Sequence, residues 1–187
     1  MLFLQPSQKQ FLSTINPLVM VLLVACGITL RTTVDPFIPA FSGLWDVLFA
    51  WVVYVGQRRS FFEGGVLVLF AGHLYSLSTS APFGVYLIYY AILFLVARLL
   101  TYVIYANRGL SIFGLLLALS VLSRGLLWLV AYLFGHRLHA ISHLTGLLGY
   151  VLFNGCIGLW IYSLMGFVDQ ITFKVLRINI EMAEGDL

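Results

Sequence analysis

Charge is what this sequence has least of. Only 9% of its 187 residues are Asp, Glu, Lys or Arg, against roughly 25% in soluble domains, and the mean hydropathy is +1.03. That composition excludes an ordinary soluble domain. The formal net charge of +3 is scattered over short connecting segments, so there is no basic block of the kind that grips nucleic acid. Cysteine is equally scarce: Cys26 and Cys156 sit in apolar runs, far from each other and from any CxxC or Cys/His spacing. Neither a disulfide framework nor a zinc site is expected. Catalytic signatures are missing too, with no GxSxG, no HExxH, no Walker loop and no paired acids on one helix face. No serine is marked as activated by a neighbouring base. The expectation is a non-enzymatic chain without cofactor.

What the sequence does have is long apolar runs. A membrane-spanning helix needs about 20 mostly apolar residues, and six candidates follow one another: Phe11 or Pro17 to Leu30, Pro36 to Val55, Phe62 to Leu77, Phe83 to Tyr105, Leu110 to Phe134, and Ser142 to Val168. Asn16 and Pro17 read as N-cap and first residue of the first helix. The expected fold is an all-α integral membrane bundle over residues 1–168, followed by a cytoplasmic tail over 169–187. Leu23, Val24, Ala25 and Cys26 also spell a lipobox, the acylation signal of bacterial lipoproteins. Short apolar motifs recur by chance in membrane helices, so the first-helix reading is preferred.

Orientation follows from Lys and Arg in the loops. With the N terminus inside, Lys9, Arg58, Arg59, Arg108, Lys174 and Arg177 fall on the cytoplasmic side, and only Arg31 and Arg137 lie outside. Six crossings then place both termini in the cytoplasm and the Ser76 to Pro82 loop outward. In the tail, Ile171, Val175, Ile178 and Met182 share a helical face, but Ile171, Phe173 and Val175 also alternate as a strand would. An interfacial helix and a segment ordered by a cytoplasmic partner both remain open.

Ions inside apolar runs are costly unless partnered. Asp46 in the second candidate helix and Arg124 in the fifth therefore form a candidate intramembrane polar pair, either fixing helix packing or serving transport. Arg98 is close enough to a helix end to snorkel. His136, His139 and His143, spaced i, i+3, i+7, either hold a metal or form an amphipathic interfacial turn. With no acid or thiol beside them and Arg137 among them, no metal is expected. His73 and Asn154 read as packing residues held by hydrogen bonds. Gly64, Gly65, Gly72 and Ser76 on the third helix, and Gly146, Gly149, Gly155 and Gly158 on the sixth, remove bulk so that another backbone can come close. Whether that backbone belongs to this chain or to another is open. Arg58 and Arg59 read as anchors at the anionic cytoplasmic leaflet or as a contact for a cytoplasmic partner.

The segment from Arg58 to Val96 resembles the MreD family, the small polytopic subunit of the bacterial rod-shape machinery. The family pattern is a basic residue after the second helix, a glycine-rich third helix, a short loop of small residues, and a glycine opening another apolar helix. Here these are "QRR", "EGGVLVLFAGHLYS", "LSTSAP" and "FGVYLIYYAILFLVA". Two positions depart: Tyr75 and Ser76 stand where the family often has an acid, and Phe83 replaces a leucine before Gly84. No role of that acid carries over.

The resemblance implies a membrane scaffold of the cell-shape and peptidoglycan-elongation complex. Its partner would be an MreC-like single-span protein and, through it, RodA, the elongation-specific penicillin-binding transpeptidase and MreB. The family is thought to resemble the six-helix S-components of energy-coupling-factor transporters, so the alternative is a substrate-binding transporter subunit. For the scaffold, Gly64, Gly65, Gly72, Ser76 and Gly84 are the expected partner-binding residues, forming a groove on the third helix closed by the Ser78 to Gly84 turn.

Overall fold

An apolar chain withdrawn from water must pair its backbone N–H and C=O groups internally, and a helix does so within one segment. The computed structural model describes residues 6–37, 45–79, 82, 84–103, 109–135 and 144–174. Among them the regular elements are six α-helices: α1 Pro6–Val34, α2 Val47–Arg58, α3 Phe61–Leu77, α4 Val85–Val103, α5 Gly109–Leu133 and α6 Leu144–Ile171. Three are long and apolar enough to cross a membrane, over Gln10–Val34, Leu110–Leu133 and Gly146–Ile171; the apolar stretches of α2, α3 and α4 are shorter.

Helix α2 is the hub. It is apolar around its whole circumference, which is the mark of a helix enclosed by others, and every residue from Leu48 to Gln57 is buried. All five other helices touch it. Trp51, Tyr54 and Phe49 fill the space between α2 and its neighbours. The closest approaches are made where a side chain is missing. A Cβ on Gly56 of α2 would sit 3.3 Å from the Phe94 carbonyl oxygen of α4, and one on Gly64 of α3 only 2.8 Å from the Phe94 ring. A Cβ on Gly72 would meet the Leu87 backbone at 3.4 Å.

Several helix ends differ from the sequence expectation. Helix α1 starts at Pro6 and carries Pro17 inside, because the Asn16 side chain is taken up by other helices and does not cap a new start. Helix α2 begins at Val47, so Asp46 is its N-cap, its carboxylate accepting from the Phe49 N–H at 3.2 Å. The expectation of an acid in mid-helix is thereby corrected; Pro39 lies outside the described residues. Helix α6 continues to Ile171, since Asp169 and Thr172 are buried against α1.

Between α2 and α3 only Arg59 and Ser60 interrupt the helical run. Ser60 caps α3 by accepting from the Glu63 N–H at 3.3 Å, and Ser60-x-x-Glu63 has the spacing of a capping box. Ser60→Ala should cost about 1 kcal/mol, read as a lowered denaturation midpoint of the detergent-solubilised protein. Gly84, at φ 96°, takes a left-handed conformation that favours glycine. It leads into α4 through the Ile88 N–H to Gly84 carbonyl bond at 2.9 Å.

Candidate functional site

Because α2 has only 12 residues, its two ends lie about 18 Å apart, and each end carries an acidic or basic residue into the bundle. Two buried polar clusters result, one at each pole of the central helix.

At the N-terminal pole, Asp46 gathers four other helices around the start of α2. The Tyr90 hydroxyl of α4 lies 3.0 Å from both carboxylate oxygens. Arg31 of α1 stands 3.7 Å from Oδ1 and donates to the Tyr75 hydroxyl of α3. The Asp46 backbone N–H donates to Asn154 Oδ1 of α6 at 2.7 Å. Arg31 is also 3.4 Å from Asp35, which accepts from the Trp45 indole at 2.9 Å. Tyr75, Tyr86, Tyr89 and Tyr90 pack edge to face, tilted or stacked beneath, with neighbouring centroids 4.6–6.2 Å apart.

The opposite pole centres on an ion pair between Arg59 and Asp169, with both side chains 1% exposed. Arg59 Nη2 donates to Asp169 and, at 2.6 Å, to Asn16 Oδ1. Asn16 Nδ2 donates to Asp169 Oδ1 at 2.9 Å and to Thr172 at 2.6 Å, and the Tyr54 hydroxyl donates to Asp169 Oδ2. Arg98 reaches in from α4 to the Arg59 carbonyl at 2.7 Å. Toward the edge, Glu63 joins Lys174 at 3.0 Å and Arg59 at 4.0 Å. Helices α1, α2, α3, α4 and α6 are thus tied at this one level. Pairing and hydrogen bonds offset the cost of burying these charges, with Arg59 Nε and Nη1 left buried without a hydrogen-bond partner, and inside a bundle such groups act as glue between helices.

The residues expected from sequence are therefore distributed as follows. Asp46 has Arg31 as its ion-pair partner, while the Arg124 guanidinium lies 3.6 Å from the centroid of the Tyr150 ring. Arg58 and Arg59 part company: Arg59 is buried on Asp169 and is not a leaflet anchor, because its neighbours supply the anion, whereas Arg58 Nε donates to the Tyr162 hydroxyl at 3.1 Å. Arg98 is committed to the Arg59 carbonyl and does not snorkel.

Gly64, Gly72 and Ser76 face inward, and the first two serve contacts within this chain, so of the third-helix set only Gly65 has open space where a Cβ would project. A Cβ on Gly84 would lie 3.7 Å from the Phe134 ring. Asn154 makes the interhelical hydrogen bond expected of it. Among the described residues no three His, Cys, Asp or Glu side chains come together as metal ligands; His136, His139 and His143 lie outside those residues. Sequence reasoning missed Arg31, Tyr54, Tyr90 and Asp169. The readable signal was an isolated acid or amide at the edge of each apolar run.

No protein-family model, characterised protein or solved structure matches the chain.

Proposed function

We propose that this chain is a non-enzymatic, multi-pass scaffold of the MreD type in the bacterial cytoplasmic membrane. It crosses six times with both termini inside and holds an MreC-like single-span partner of the cell-shape and peptidoglycan-elongation complex. The observation that carries this reading is how the buried polar groups are used. Asp46, Asp169 and Arg31 find their counter-charge and hydrogen bonds in side chains of this chain, and Arg59 does so through Nη2. A scaffold needs such a bundle, held fixed from inside and apolar outside. A transporter subunit needs convergent polar groups offered to a substrate.

The outward face of α3 is assigned to the partner span. Gly65 gives a backbone-level approach there, and Phe62, Val66 and Leu69 flank it as exposed apolar side chains. Affinity purification of the tagged protein from its native membrane in mild detergent should retain a single-span coiled-coil protein, with RodA-like and transpeptidase synthases and MreB behind it. Gly65→Leu should reduce retention of that partner about tenfold, the equivalent of some 1.4 kcal/mol, with an unchanged melting temperature. Recovery of paired ATPases with a large coupling subunit would instead make the chain a transporter component.

A further inference from the structure

Arg58 lies beside the second polar cluster without joining its ion pairs. Its Nε is held by the Tyr162 hydroxyl at 3.1 Å, and its guanidinium carbon lies 5.9 Å from that ring's centroid. Among the described residues no carboxylate lies within 4.0 Å of it, and neither Nη nitrogen has a hydrogen-bond partner. The fork is thus fixed in place with its terminal donors free.

Those donors belong to a groove of about 320 Å³ between the C-terminal halves of α2 and α6. Along α6 the lining runs Ser163, Gly166, Phe167 and Gln170, spaced i, i+3, i+4, i+7 on one face, with Tyr54 behind. Hydroxyl and amide groups accompany the cation, Phe167 is an exposed apolar wall, and Gly166 has nothing within 4 Å of its Cβ position. The volume lies at the small end for ligand sites, suited to a head group and not to a whole lipid. A planar fork with two free donors matches two oxygens of a phosphate.

The geometry points to a binding site for the phosphodiester head group of an anionic membrane phospholipid, with the fork of Arg58 on the phosphate, Ser163 and Gln170 on head-group hydroxyls, and an acyl chain along Phe167. This rests on the reading that the helices cross a bilayer. On that reading an unneutralised guanidinium beside apolar surface is costly, and a phosphate drawn into the groove supplies the counter-charge.

The test is native mass spectrometry of the full chain in detergent with equal amounts of phosphatidylglycerol and phosphatidylcholine added. Wild type should retain phosphatidylglycerol about tenfold over phosphatidylcholine, a difference of one decade in affinity. Arg58→Gln should abolish the preference, while Arg108→Gln, which removes the same charge elsewhere in the chain, should keep it. Gly166→Leu is the second variant, since its Cβ position is open and faces the groove, and it too should lose the lipid. Undiminished preference in both groove variants, or none in wild type, would overturn the site. Displacement of the lipid by millimolar inorganic phosphate would overturn the lipid as its source. Alkaline carbonate extraction of native membranes tests the underlying reading separately: release of the chain would sink the membrane placement, whatever the mass spectra show.

Discussion

Replacing Asp169 with asparagine lowers the stability of the bundle by about 3–5 kcal/mol, the usual consequence of leaving one partner of a buried ion pair behind. Arg59 would keep its positive charge at a site where it is 1% exposed, and Asn16, Tyr54 and Thr172, all arranged around the carboxylate, would lose part of their network. The variant should show a lower melting temperature in detergent and a lower steady-state amount in the membrane. The decisive comparison is the double variant Arg59→Met with Asp169→Leu. Removing both charges for apolar groups of similar volume is often neutral, so the double variant should recover most of the loss. If its loss equals the sum of the two single losses, the pair is not coupled, and the pole holds the helices by packing alone.

Gly56→Leu is the second large effect, for a different reason. The new side chain would start 3.1 Å from the Ala97 Cβ and 3.3 Å from the Phe94 carbonyl oxygen, and backbone cannot rotate out of the way as a side-chain end can. Overpacking a filled core costs about 1–3 kcal/mol, occasionally more; at the hub helix, where α4 would have to move as a whole, the upper end is expected. Gly65→Leu, with open space at its Cβ position, should stay within about 0.5 kcal/mol of wild type. Thermal unfolding of the two variants side by side separates glycines that close the bundle from one that faces out. The reverse order of melting temperatures would contradict the α2–α4 packing described here.

Much of the helical framework was legible in the sequence, because apolar runs bounded by charge or by Pro and Gly mark helices whatever they pack against. Helix α5 begins and ends within one residue of the expected bounds, and α3 begins one residue early. The misplacements cluster at polar residues. Asn16 looked like a cap, Asp46 like a mid-helix charge and Asp169 like the start of a tail, since local spacing says what a side chain does to its own backbone and nothing about a partner up to 156 residues away. The candidate site was legible only as a list of ions that must find partners. Pairing Arg59 with Asp169 and Arg31 with Asp46 depends on how five helices surround a sixth, and no period or motif encodes that arrangement. Likewise, glycine content announced close packing, but its destination inside the chain required the coordinates of α4.

The helices differ in length in a way that bears on the lipid around them. By their residue counts, α1, α5 and α6 extend roughly 44, 37 and 42 Å, whereas α3 and α4 reach only about 25 and 28 Å. In a bilayer whose hydrocarbon is about 30 Å thick, a wall that falls short is met by thinning of the adjacent leaflets, at a cost that grows with each ångström of mismatch. With all six helices crossing as proposed, the strain would gather along α3 and α4. A second protein that brought its own span to that side would replace stretched lipid with matched side chains. The membrane itself would then favour association at that wall, even before any specific contact is made.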